Sequence, residues 1–431
     1  MSKEAKFRAK TGQPKLHRAW IVAGVTFLVL IAASAFRSTT SVLFEPLEHQ
    51  FGWSRTQTSL ALTVNLIFYG LTAPFAAVFM ERFTVRKVVT AALTLVALGT
   101  GLTIFMTEAW QLTVLWGVLV GLGTGALALV FGAIIANRWF EARRGLVTGI
   151  FSAAYATGQL VFLPMIASLV TTIGWQTGSL IVCAFVLIMI PIFAIGFRET
   201  PESVGLKPYG ATAESEAARA KDVKAPSTAR ATLSTLREAA RTKAFWVLAG
   251  TFFVCGWTTN GLIGAHFIPA AHDHGMPATT AAGLLALVGI FDFIGTIASG
   301  WLSDRVDSRI LLVIYYGLRG LALFTVPFVL GPTVEPPMIF FIIFYGLDWI
   351  ATVPPTIALT RKYFGAARTG VIYGWIFASH MVGAAVAAAF AGMIRDIQGD
   401  YFIAWITAAI LCLAAAASFM LLREKKVKAH V

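Results

Sequence analysis

Ala77-Val78-Phe79-Met80-Glu81-Arg82-Phe83-Thr84-Val85-Arg86-Lys87 and Gly300-Trp301-Leu302-Ser303-Asp304-Arg305-Val306-Asp307-Ser308-Arg309 are one pattern written twice. Each copy has a small residue, four positions later an acid followed by arginine, and a second arginine one helical turn on. Arg82 and Arg305 are 223 positions apart, and each copy lies between the second and third long apolar segments of its half. A repeat of that length in an apolar chain predicts a membrane protein built as two similar bundles.

The composition agrees. Of 431 residues, 57% are hydrophobic and only 13% charged, too little charge to cover a soluble protein of this size. Apolar runs long enough to span ~30 Å of hydrocarbon recur throughout. They predict twelve helices, at 19–47, 58–80, 86–107, 111–136, 145–172, 177–197, 243–270, 279–303, 309–330, 336–360, 369–395 and 400–422. The runs are continuous and do not alternate, which excludes a barrel. The expected fold is therefore an all-α membrane protein, twelve transmembrane helices in two six-helix bundles.

All but four of the 34 basic residues fall on one face or in the tails; the exceptions are Arg37, Arg55, Arg319 and Arg395. By the positive-inside rule that face is cytoplasmic and both termini are inside. The net charge of +13 is then a topology signal, spread over many short loops, and excludes a nucleic-acid partner. The organisation reads as a basic tail (1–18), a bundle (19–197), a polar linker (198–242), a second bundle (243–422) and a short tail (423–431). Cys183, Cys255 and Cys412 lie inside apolar segments without metal-type spacing, so neither a disulfide framework, a metal nor a cofactor is expected.

A second echo accompanies the first. Trp139-Phe140-x-x-x-Arg144 precedes the fifth helix and Tyr363-Phe364-x-x-x-Arg368 the eleventh, an offset of 224. With these motifs the chain resembles the major facilitator superfamily, whose loop after the second helix carries Gly-x-x-x-Asp-Arg and is repeated in the second half. Here Ala77 and Glu81 replace Gly and Asp in the first copy. More narrowly, Trp139-Phe140-x-x-Arg143-Arg144-x-Leu146-x-x-Gly149 and Pro46-Leu47-x-x-x-Phe51-Gly52-Trp53-Ser54 are similar to the bacterial monocarboxylate transporter and oxalate–formate exchanger group. The resemblance implies a monomeric carrier with a multi-pass location in the cell membrane, the inner membrane in a bacterium. It departs in the eighth helix, where Thr296 stands four residues after Asp292 in place of the group's arginine. For Glu81, Arg82, Asp304 and Arg305 the resemblance implies gating, by pairing that forms in one state and breaks in the other. The plainer alternative is a solvated charged turn.

Charge inside a membrane costs about 2.5–3.5 kcal/mol per central residue and usually faces a cavity or a partner. At 1.5 Å per residue, Asp292, Arg319 and Asp348 all lie roughly 15–18 Å deep, near the midplane. Arg319 is expected to pair with one of the two acids, a structural ion pair. Asp292 and Asp348 are candidate proton-coupling groups, with structural pairing as the rival role. Arg37 lies about 27 Å along the first helix. No acid in the nearby sequence is an obvious mate, which makes it a candidate anion receptor or a side chain snorkelling to the headgroups.

Asn65 with Tyr69, and Tyr155 with Gln159, share helix faces; Asn260, Tyr345 and His380 are further polar groups mid-helix. Together with Arg37 they are the candidate substrate contacts, and each also suits an interhelical hydrogen bond. Gly117-x-x-x-Gly121-x-Gly123-x-Gly125 follows no strand and lacks the Lys-Ser/Thr ending, so it is helix packing and not a phosphate loop. No ATP-binding signature is present. The expected function is secondary active transport of a small organic anion, for instance a monocarboxylate, with a proton or an exchanged anion as partner in the bilayer. The alternatives are a carrier or exporter of a neutral or larger organic solute and, more remotely, a transport-derived membrane sensor; no nucleophile–base constellation suggests an enzyme.

Overall fold

The structure is a computed structural model that describes residues 17–212, 229–303 and 305–422. Asp304 and the greater part of both tails and of the polar linker lie outside the described residues, as do the side chains of Tyr155 and Gln159. Twelve helical crossings follow one another: α1 (Arg18–Phe51), α2 (Arg55–Phe83), α3 (Val85–Phe105), α4 (Ala109–Trp139), α5 (Arg144–Ile173), α6 (Trp175–Gly196), α7 (Lys243–Asp273), α8 (Ala278–Ser303), α9 (Ser308–Val329), α10 (Pro336–Phe364), α11 (Ala366–Gln398) and α12 (Phe402–Ser418). Ten are long and apolar enough to cross a membrane, and apolar stretches in α5 and α12 complete the set. Extended pairing among the described residues is a single bridge, Phe140 to Tyr209. Helices dominate because hydrocarbon offers no partner for a bare backbone amide.

Local chemistry sets the boundaries. α1 ends at Gly52, which takes the left-handed conformation (φ 68°) that a residue without Cβ adopts freely. Ser54 and Gln57 then form a capping box at the start of α2. The first copy of the repeated motif ends in a tight turn at Thr84, whose φ of 75° is strained for a β-branched residue. Glu199 fixes that turn, accepting Val85 N at 3.2 Å and Arg86 N at 2.8 Å. In the second copy Asp307 caps α9 through Arg309 N at 2.8 Å. The Arg309 guanidinium also bonds this carboxylate and holds it below the usual carboxylate range.

Two helices are interrupted at matching places. α4 breaks at Leu127–Ala128 and α10 at Trp349–Thr352, and Leu127 and Trp349 are 222 positions apart. α4 and α7 also each contain a π-helical segment, Thr113–Val120 and Trp257–Ile263. Across the halves α2 packs on α11 and α5 on α8, equivalent pairings under the repeat, and α1 meets α7. Within the second half α8 and α10 touch backbone to backbone: a Cβ on Gly295 would stand 1.8 Å from the Leu347 carbonyl oxygen.

Gly295→Ala should therefore force α8 from α10 and destabilise the protein by about 1–3 kcal/mol, the range of core overpacking. Gly283→Ala on the same helix, with nothing within 4 Å of the added carbon, should be neutral. Thermal melting of both purified variants checks this; equal melting temperatures would contradict the close approach.

Candidate functional site

A small cavity lies between the halves, lined by Phe36, Arg37 and Thr40 of α1, Leu62, Asn65 and Leu66 of α2, and Asn260, Gly264 and Ala265 of α7. Its volume is about 30 Å³, room for about two waters. An organic solute enters only if the halves move apart. Arg37 is the one charged side chain among the described residues lining it. Its guanidinium carbon lies 4.5 Å from the centroid of the Tyr69 ring, a cation–π contact that orients the head group.

Asn65 lines the cavity while its amide donates to the Trp116 carbonyl at 2.7 Å, tying α2 to α4. Asn260 projects from the π segment of α7, a kind of irregularity often found at functional sites. Its amide nitrogen is 3.0 Å from His380 Nε2 on α11. The His380 ring is stacked parallel to Phe377, centroids 5.7 Å apart, and tilted against Phe252 at 4.8 Å. Arg37, Asn65 and Asn260 thus meet at one cavity, with Tyr69 and His380 directly behind them. Tyr345 is placed elsewhere, buried in the second half with its hydroxyl donating to the Thr258 carbonyl at 2.9 Å. Thr40 lines the cavity although sequence reasoning passed over it; the available signal was its position one turn beyond Arg37.

The three midplane charges form a separate, buried cluster. Arg319 Nε donates to Asp348 Oδ2 at 2.5 Å, and its side chain is fully buried. The remaining donors reach the Asp348 and Trp349 carbonyls, Cys255 Sγ and Thr258 Oγ1. Asp292 Oδ1 accepts Thr296 Oγ1 at 3.0 Å and Ile350 N at 2.9 Å. Ser299 Oγ donates to the Ala351 carbonyl. The backbone groups set free where α10 breaks are therefore satisfied by side chains of α8 and α9.

Glu81, Arg82 and Arg305 are exposed. Arg82 lies over Phe83 at 5.4 Å, and Arg305 lies over Trp301 at 4.1 Å while donating to its carbonyl.

The profile of the Major Facilitator Superfamily matches residues 26–388. The uncharacterized MFS-type transporter YcxA of Bacillus subtilis (strain 168) is 25% identical over 389 residues, which cover 89% of this chain and 90% of that one. Monocarboxylate transporter 12 of Mus musculus is 24% identical over 407 residues, covering 90% of this chain and 82% of its own length. Among solved structures, that of a D-xylose-proton symporter superposes with a TM-score of 0.69 at 14% identity, covering 94% of this chain and 97% of that one. The last likeness concerns the fold alone.

Arg319→Leu should destabilise strongly, by about 3–5 kcal/mol, because it leaves Asp348 buried without its cation and two carbonyls of the α10 break without donors. The measurement is melting temperature and folded yield in detergent. A variant that folds and melts like the parent would remove the structural role.

Proposed function

Because the chain belongs to the major facilitator superfamily, a family of multi-pass secondary transporters and not of enzymes, we propose that it carries a small organic anion, such as a monocarboxylate, by alternating access. The observation that carries the reading is Arg37, a guanidinium at the cavity between the two halves. A planar fork of donors suits a carboxylate, and charge-assisted hydrogen bonds are strengthened away from bulk water. Asn65 and Asn260 add neutral polar surface from either half. Relatives named monocarboxylate transporters support the same class of solute. The basic-residue bias supports a topology with both termini in the cytoplasm.

Coupling is assigned to Asp292. Unlike Asp348, it is hydrogen-bonded to neutral partners, Thr296 and Ile350 N, so gaining a proton does not break an ion pair. Asp348 is committed to Arg319. In this reading the repeated loops bearing Glu81, Arg82, Asp304 and Arg305 form the gate on the face of the chain ends. A second reading, a neutral or larger solute, is favoured by Thr296, since the α8 position that carries arginine in the resembled group holds only a hydroxyl.

A thermal-shift screen of purified protein against short-chain carboxylates and their methyl esters separates the two readings. A bound ligand stabilises by mass action. The anion reading expects stabilisation by an acid but not by its ester, and Arg37→Gln should weaken that acid at least tenfold, about 1.4 kcal/mol. Arg37→Lys should weaken it less. Equal shifts with acid and ester, or an unchanged affinity in Arg37→Gln, would favour the neutral solute.

Asp292→Asn retains an oxygen for Ile350 N and should fold. In liposomes it should lose accumulation of the screened acid driven by a pH gradient while keeping acid–acid exchange. Accumulation equal to the parent would remove Asp292 from the coupling.

A further inference from the structure

The best-formed polar contacts between the halves are not at the cavity but on the face opposite the chain ends. The first two amides of α2 point at an acid of α11: Arg55 N donates to Asp396 Oδ1 at 3.1 Å and Thr56 N to Oδ2 at 2.8 Å. A carboxylate in that position is held by free amides and by the positive end of the helix dipole. The Arg55 side chain, only 8% exposed, adds a third bond across the halves, Nη1 to the Tyr401 hydroxyl at 2.8 Å. Tyr401 in turn sits 3.3 Å from His266 Nδ1 on α7. One turn in, a Cβ on Gly392 of α11 would stand 2.9 Å from Ser59 Cβ of α2. The opposite face is closed here by direct contact.

We infer that Asp396, Tyr401 and Arg55 are the gate of that face, and that the departure of Asp396 from the first turn of α2 is its opening step. The reason lies in which bonds survive separation. Arg55 keeps its ion pair, because Glu48 on α1 holds Nη2 at 2.7 Å within the same half. Arg395 keeps Asp273, bonded at 2.6 Å within the other half. The start of α2 keeps its own cap, since Ser54 Oγ accepts Gln57 N at 3.3 Å and Gln57 Oε1 accepts Ser54 N at 2.9 Å. Opening therefore exposes Asp396 and the Tyr401 hydroxyl to water without stranding a charge. At the more exposed rim, Glu45 of α1 approaches His272 of α7 at 3.2 Å across the halves and His49 of its own helix at 3.6 Å; the first contact adds to closure but is open to solvent. Such a gate leaves the repeated loops to govern the other face.

The test uses the full chain in nanodiscs and needs no substrate. Leu60→Cys and Ile397→Cys, exposed positions of α2 and α11, carry nitroxides for electron–electron distance measurement. The parent should show mainly one short distance. Asp396→Ala and Tyr401→Phe should each raise a longer population at least threefold with the melting temperature little changed. If Asp396→Ala does not fold, Tyr401→Phe, which loses one hydroxyl, decides. Unchanged distances in the folded variants would overturn the gate.

Discussion

The interruption of α10 is the constraint on which the second half depends. In hydrocarbon an unwound stretch is tolerated only where other groups take over its amides and carbonyls. Trp349–Thr352 meets that condition through three side chains on two neighbouring helices. Asp292 takes Ile350 N, Arg319 takes the Asp348 and Trp349 carbonyls, and Ser299 takes the Ala351 carbonyl. Buried charge, expensive on its own, is here the means of satisfying a broken helix. The contact of Gly295 with Leu347 follows from the same need, since α8 must lie close for Asp292 and Ser299 to reach.

That arrangement separates two arginines of identical chemistry. Arg319 is fully buried, and its donors are engaged by fixed protein acceptors. Receiving a solute would mean taking those bonds from α10, so its role is structural. Arg37 lies at the boundary of the halves, beside an aromatic face and at the edge of a cavity. Its surroundings change whenever the halves move. The surroundings, more than the residue type, decide which arginine suits recognition.

Much of this was legible in the chain. The repeated acid–arginine loops and the apolar runs gave the twelve crossings, and depth along the helices brought Arg319 and Asp348 to one level. Depth carries no information about azimuth, which is why Asp292, at the same level, faces Ile350 N and not the guanidinium. The same limit applies to Tyr345: it is a polar group mid-helix as expected, but its face of α10 turns into the second half and away from the cavity. The α10 break had a signal in Pro354-Pro355, because proline lacks an amide and disfavours helix in the residue before it. Hydropathy averaged across the run conceals it.

Arg55 and Arg395 show a different limit. As basic residues on the opposite face they served only as exceptions to the topology rule. Their value depends on partners 341 and 122 positions away, Asp396 and Asp273, which no local pattern links to them. Charge at a helix end is ambiguous in one dimension, because solvated turns and closed gates draw on the same residues. The distinguishing feature is whether each charge keeps a partner within its own half once the halves part. Arg55 with Glu48 and Arg395 with Asp273 meet that condition, while the bonds of Asp396 to Arg55 N and Thr56 N run across the divide. A contact between halves that can be released without stranding a charge is suited to repeated opening. One that cannot, such as Arg319 within its half, is suited to remaining closed.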